Sequence, residues 1–467
     1  MMLRSGVLGC CFRFQPALAI LSHTPIKEYP MARLTRRRFV QTTASVLAVP
    51  YVWRLHGYAA PSETVLHASF GAGGMAASDI NALTASKHLR LVAVAEVDES
   101  RLGNLQERFP HCTVYKDYRQ LLDKEKNLDS VNVSTPDHMH APIALRAMLR
   151  GLHVYCQKPL THTIQEARWM HQLATEKKLI TQMGIQIHSH PIHKQVVRMI
   201  HEGVIGRVKQ VYSWSGKQWG DVQPRPKRRD TPPPGFDWDL WLGVAAERPF
   251  IGNGYYHPGN WRKRLDFGTG TFGDMGCHIL DPVFGALGVK APVSVRSVLP
   301  GPNEYNWPLD VEVHYRFPGT PYTTDPVTLV WSNGNARPPQ EVQKLIGKPL
   351  HDQGSIYVGE QGILYSPYIA PPQLLPTDRF RDYKWPDVKG DNHYLQYVEA
   401  IRGHGQTSTP FSYSGPLTEM VLLGCLATRF PKVELHWDSA ALRFTNHEPA
   451  NAFVHKSYRR GFEVPGL

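Results

Sequence analysis

Asp274 and His278, in the run Asp274-Met275-Gly276-Cys277-His278, lie four residues apart and so share one face of a helix. Such a pair can work on a single substrate hydroxyl. Further upstream, Val154-Tyr155-Cys156-Gln157-Lys158-Pro159-Leu160 carries a lysine held by the proline that follows it. Oxidising a secondary alcohol requires a hydroxyl proton to leave while hydride departs from the same carbon. His278 can accept that proton, Asp274 can orient the imidazole, and Lys158 can stabilise charge developing on oxygen.

Hydride needs an acceptor, and Gly71-Ala72-Gly73-Gly74-Met75-Ala76 offers a place for one. The glycines sit between a predicted strand and a predicted helix. Gly71 permits a tight turn, Gly73 lets backbone approach a pyrophosphate, and Ala76 allows close helix packing, with Gly74 and Met75 at the same mouth. Glu96 ends the next predicted strand, where an acid binds ribose hydroxyls and repels a 2′-phosphate, favouring NAD over NADP. Asp98 is the reserve candidate. His67 is a departure within a first strand that is usually more apolar. Ser134-Thr135-Pro136 closes another strand at its carboxyl end, where ligands of open α/β sheets bind, and His138 follows as a cofactor neighbour. Asp137 can cap the next helix.

These residues need two kinds of scaffold. From Thr64 the pattern alternates strand and helix: strands at 65–70, 89–97, 130–134, 153–156 and 179–185, helices through 86, at 101–109, 118–124, 141–150 and 164–178. That rhythm predicts parallel βαβ units in a doubly wound sheet. After a helix at 193–201, strands recur at 208–215, 293–298, 311–317, 327–331, 355–359 and 362–365 without long helices between them, predicting a mostly antiparallel α+β second domain. Helix returns at 394–402 and 416–428. The division is a leader over 1–60, a dinucleotide-binding domain over 61–187, and a substrate and oligomerisation domain over 188–467.

The order of the glycine turn, Ser134-Thr135-Pro136, Gln157-Lys158-Pro159, Gly184-Ile185-Gln186 and Asp274-x-x-x-His278 resembles the Gfo/Idh/MocA oxidoreductase family over about residues 64–450. Further along, His393-Tyr394-x-x-Tyr397-Val398-Glu399-Ala400-Ile401 and Tyr413-x-Gly415-Pro416-Leu417-x-Glu419 look like an exported subgroup of it. The resemblance implies a Rossmann domain joined to an open-faced α/β domain, a tightly held nicotinamide cofactor, sugar or cyclitol substrates, and association through the open face of the second sheet. It places Lys158 at the lysine of the family's Glu-Lys-Pro motif, and Asp274 and His278 at its catalytic pair. Gln157 stands where the motif has glutamate, and this neutral neighbour leaves Lys158 without an anionic partner.

For the substrate, His188 after the strand at 184–187 and the aromatic segment with Tyr255, Tyr256, His257, Trp261 and Arg262 are the candidates, about half of them expected to face the cleft. Gln186 is a candidate for cofactor or sugar. His188-x-His190-x-x-His193 and His138-x-His140 have no Cys or carboxylate spaced to complete a ligand set, so no metal is expected.

Of the formal +12, eight basic residues and one acid fall in residues 1–60, and the remainder carries +5. That is too mild for nucleic acid, and no aromatic-basic platform supports it. Thr35-Arg36-Arg37-Arg38-Phe39-Val40-Gln41, the modestly apolar 44–49 and small residues near 57–59 read as a twin-arginine export signal, with Met31 a natural start and a periplasmic destination. Cys112, Cys156, Cys277 and Cys425 lack CxxC spacing and read as buried thiols. The expectation is an exported NAD-dependent oxidoreductase acting on a sugar hydroxyl. Two alternatives remain: a redox-neutral glycosidase that oxidises its sugar transiently, and an inactive NAD-binding scaffold.

Overall fold

The computed structural model describes residues 63–466. The twin-arginine segment and its export reading lie outside the described residues. Six strands form a wholly parallel sheet: β1 Val65–Phe70, β2 Leu89–Ala95, β3 Thr113–Tyr115, β4 Ser130–Val133, β5 His153–Cys156 and β6 Thr181–Met183, in the order β3-β2-β1-β4-β5-β6. This is the doubly wound arrangement, with its switch point between β1 and β4. Helices Met75–Thr84, His140–Leu149 and Ile164–Glu176 cover it. The last begins with a reciprocal capping box between Thr163 and Glu166.

His67 in β1 is 1% exposed yet fully partnered. Its Nδ1 meets Ser130 Oγ at 2.8 Å and its Nε2 meets Asn132 Oδ1 at 2.9 Å, both on β4. The polar residue is tolerated because the neighbouring strand supplies its hydrogen bonds. The helix expected over 101–109 breaks into a 3₁₀ turn at Glu99–Arg101 and one helical turn at Leu105–Arg108, because Gly103 takes φ 53°. The edge strand β3 has only three residues and carries no periodicity to predict it.

The second sheet holds β7 Val208–Ser215, β8 Ser294–Ser297, β9 Val311–Phe317, β10 Thr323–Asn333, β11 Gln353–Gly359, β12 Ile363–Pro367, β13 Gln373–Leu375, β14 Glu434–Asp438 and β15 Arg443–Phe444. Their order is β13-β12-β11-β7-β10-β9-β8-β14-β15, antiparallel except for the parallel β7–β10 pair. The short β13, β14 and β15 were not expected. Helix Gly270–Ile279 lies between this sheet and helix Phe411–Ala427: Phe272 stacks on Trp331 of β10, ring centroids 4.6 Å apart. A side chain at Gly424 would strike both Phe272 and Tyr315. Helix His393–Ile401 returns to the first sheet, where Tyr397 and Val398 share a buried cluster with Val65, Leu83, Leu89 and Tyr155. Among the described residues no helix is long and apolar enough to cross a membrane.

Candidate active site

At the carboxyl ends of β1, β2 and β4 the chain forms a cleft of about 340 Å³. Gly71 takes φ 97°, and a Cβ there would lie 2.9 Å from the Ser134 carbonyl oxygen. Gly73 is similarly bare, since a Cβ would strike the Arg101 side chain. The bare backbone at the head of helix Met75–Thr84 is a cradle for a dinucleotide pyrophosphate. Met75, Ser134, Thr135, Pro136 and Gln157 line the same cleft. Glu96 joins them: its Oε2 accepts from Ala72 N at 2.8 Å and its Oε1 from Asp98 N at 3.1 Å. Burial raises its pKa against those two backbone bonds. The carboxylate therefore braces the glycine turn as well as facing the ribose position.

Lys158 follows β5 and reaches across to helix Gly270–Ile279. Its Nζ donates to Asp274 Oδ1 at 2.8 Å and to the Asp274 carbonyl at 2.9 Å. Arg262 Nε donates to the same Oδ1 at 3.1 Å, with its guanidinium stacked between Trp261 and Trp219. Lys217, just after β7, stands 3.9 Å from Oδ2. Burial would raise the Asp274 pKa, but Lys158, Arg262 and Lys217 hold it far below the usual carboxylate range. His278, one turn on, is neutral. Burial, with the Lys158 charge next, lowers its pKa to about 3 against the opposing pull of Asp274. Its Nδ1 is buried, with no hydrogen-bond partner among the described residues.

Two expectations about this centre need correcting. The Asp274 carboxylate makes no hydrogen bond to the His278 ring, because both its oxygens face cations from other elements. Gln157 does not strip Lys158 of an anion: Lys158 has Asp274, and the Gln157 amide turns the other way onto Asp79.

The remaining candidates scatter. His138 is wholly buried between Trp241 and Phe267, its Nε2 donating to the Trp241 carbonyl, so it is packing and not cofactor contact. Gln186 donates to Tyr394 Oη at 2.9 Å, away from the cleft lining. Tyr256 is 2% exposed inside an aromatic cluster. Tyr255 packs edge-on against Tyr256 and under the Arg264 guanidinium, which draws it off the cleft. His188 sits in a separate cavity, bonded to Asp281 at 2.9 Å, and Asp281 in turn accepts from Tyr413 Oη at 2.6 Å. Burial opposes the His188 charge, but Asp281 outweighs it and the pKa rises. His257 lines the cleft and is bonded to Asp98. Trp261 and Arg262 line the same cleft, and of the substrate group only Arg262 bonds to Asp274. Among the described residues no His, Cys, Asp or Glu cluster is arranged to hold a metal, and Cys112, Cys156, Cys277 and Cys425 are buried free thiols.

Sequence reasoning passed over Arg101, Asp79, Lys217 and Trp219. Arg101 carried a usable signal, a cation five residues beyond the ribose acid. Asp79 and Lys217 carried none, since their partners are remote in the chain. Asp137, read as a cap, lines the cleft and accepts from Thr269 Oγ at 2.7 Å; burial raises its pKa to about 7.

A parallel sheet in this order, with a bare glycine cradle at its switch point and an acid at the end of β2, defines a dinucleotide-binding protein of the Rossmann class. The chain belongs to the Gfo/Idh/MocA family. The family model described as "Oxidoreductase family, NAD-binding Rossmann fold" matches residues 67–185, and that of the "Oxidoreductase family, C-terminal alpha/beta domain" matches 189–304. The cofactor of this family fold is NAD. Levoglucosan dehydrogenase of Pseudarthrobacter phenanthrenivorans is 24% identical over 188 residues, covering 40% of this chain and 40% of that protein. Inositol 2-dehydrogenase of Rubrobacter xylanophilus is 30% identical over 156 residues, 33% of this chain and 43% of that one. The matches thus span less than half the length of these curated relatives. In fold, the WlbA dehydrogenase of Bordetella pertussis, solved with NADH and UDP-GlcNAcA, superposes with a TM-score of 0.58 at 15% identity, over 80% of this chain and 99% of that one.

Proposed function

We propose that this protein is an NAD-dependent oxidoreductase acting on a secondary hydroxyl of a sugar or sugar derivative. The observation that carries the reading is the Lys158–Asp274 pair, 2.8 Å apart, with Lys158 and Arg262 both lining the cleft that the glycine cradle opens. Bound NAD would supply the hydride acceptor. The chain's own residues divide the rest. Lys158 spends two of its N–H donors on Asp274, and the third is free for a substrate oxygen. Because that ammonium is fixed beforehand, it stabilises an alkoxide without reorganising. His278, neutral and with an unpartnered nitrogen, accepts the hydroxyl proton. Asp274 balances the cations and sets their positions. Arg262, braced on two indoles, holds a second sugar oxygen. The sugar dehydrogenases among the relatives support the substrate class.

The redox-neutral glycosidase is the second reading. The wall of residues 257–262 across the cofactor cleft favours it, because a captive cofactor suits a cycle that regenerates it in place. The twin-arginine reading of the leader points the same way, since an exported enzyme has no obvious means of recycling NAD. A sugar deuterated at the oxidised carbon separates the two. A dehydrogenase passes the label to NAD and releases NADH stoichiometrically. The glycosidase releases aglycone, exchanges solvent hydrogen beside the transient ketone and accumulates no NADH. Neither result, with NAD bound, would leave only the scaffold.

A further inference from the structure

His257 was expected to touch substrate, yet it lies beside the residues that follow β2. Its Nε2 meets Asp98 Oδ2 at 2.8 Å, and its ring stacks on Phe236 with centroids 4.9 Å apart and planes 16° apart. The chain at 235–237 is itself stitched to the same place. Asp98 and Phe236 form an isolated antiparallel bridge, Asp237 N donates to the Val97 carbonyl at 2.8 Å, and Glu99 N donates to the Gly235 carbonyl at 3.1 Å. Behind them Phe236, Trp241, Phe250, Tyr256 and Trp261 form their own buried cluster, with Val97 packed against it. This segment is therefore anchored at two points and backed by a core, not draped loosely.

The cleft shows what it faces. Gly71, Gly73 and Glu96 line one side, and His257, Pro258 and Trp261 line the same cavity. Glu96 follows β2, where the adenosine ribose lies in a doubly wound dinucleotide fold. Asp98, two residues on, spends its Oδ1 on Ser100 and its Oδ2 on His257. The other ring nitrogen of His257 makes no hydrogen bond among the described residues, which leaves it for a ribose hydroxyl.

We propose that His257 is a cofactor-recognition residue, the outer wall of the adenosine-ribose pocket. The proposal rests on the NAD-binding reading of the cleft.

The test reads nucleotide alone, so it is independent of which sugar reacts. NAD⁺ is titrated calorimetrically into stripped protein, and its release from loaded protein is followed during a chase with excess unlabelled NAD⁺. His257→Ala should weaken NAD⁺ binding and speed its release by roughly 3–10-fold, the loss of one hydrogen bond to a ribose hydroxyl. His257→Gln retains a donor for Asp98 and should recover part of that loss, which also covers the case of an alanine variant that fails to fold. Phe236→Ala, which removes the stacking partner, should speed release as well. Unchanged release in His257→Ala and Phe236→Ala would overturn the proposal. Wild-type protein that takes up no NAD⁺ would overturn the cofactor reading and this proposal with it.

Discussion

Gln157 Nε2 donates to both carboxylate oxygens of Asp79, at 3.0 and 2.9 Å, beneath the glycine turn. Ser134 Oγ and Tyr394 Oη donate to the same carboxyl at 2.7 and 2.9 Å. The departure from the Glu-Lys-Pro motif thus has a physical reason: the acid is supplied by Asp79, and position 157 supplies the amide that satisfies it. Putting the motif's glutamate at position 157 would set two carboxyls against each other. Gln157→Glu should destabilise the protein by about 1.5–3 kcal/mol at pH 8, measured by denaturant unfolding. The double variant Asp79→Asn/Gln157→Glu, which exchanges the two groups, should recover most of the loss. Burial raises Asp79 to a pKa of about 6 against its hydrogen bonds, so the single variant's penalty should shrink at pH 5, where Asp79 is protonated.

Chemistry should depend on three side chains without the fold doing so. Lys158→Ala, Asp274→Asn and His278→Ala are each expected to lower turnover by roughly 10²–10⁴-fold while NAD⁺ still binds. Losses well below tenfold would mean the roles are misassigned. Because all three serve one hydroxyl, His278→Ala/Lys158→Ala should lose less than the product of the single losses.

Acid should unfold this protein earlier than its charge balance suggests. Burial lowers His67, His140, His193 and His393 to about 4, and His138 and His278 to about 3. An unfolded chain protonates each near the ordinary histidine value of 6.5. Between those limits the unfolded state binds more protons, so stability falls as pH drops from about 6.5 towards 4. Asp79 and Asp137, raised to about 6 and about 7, act in the opposite sense between 3.8 and those values, because there the folded state binds more protons. Six histidines against these two carboxyls leave a net loss on acidification. The thermal midpoint should fall between about pH 6.5 and 4.5; a flat or rising profile would contradict the neutral, buried histidines.

Glu96 should set the choice of nucleotide. Glu96→Ala removes both the ribose acid and the brace on Ala72 N, and should narrow the NAD⁺ over NADP⁺ preference by roughly tenfold in titrations of the two nucleotides. Equal retention of both by the wild type would count against this role.

Export is tested in cells. Replacing Arg36 and Arg37 together by lysine should leave precursor in the cytoplasm. Mature protein appearing outside regardless would refute the twin-arginine reading.

The strand–helix alternation, the glycine cradle and the shared helical face of Asp274 and His278 were legible in the chain because each is local. Hydrophobic period, turn chemistry and helical spacing act over a few residues and leave their mark in order. The partners of those residues were not legible. Asp274 lies one helical turn from His278 yet is claimed by Lys158, 116 positions away, and Gln157 finds Asp79 across 78. His257 belongs by sequence to an aromatic run before helix Gly270–Ile279, and packing carries it to Asp98, 159 positions back, just after β2. Spacing along a helix or strand determines which face a side chain shares. Which charge it meets there is decided by how separate elements dock, and that competition among remote partners exists only in the folded chain.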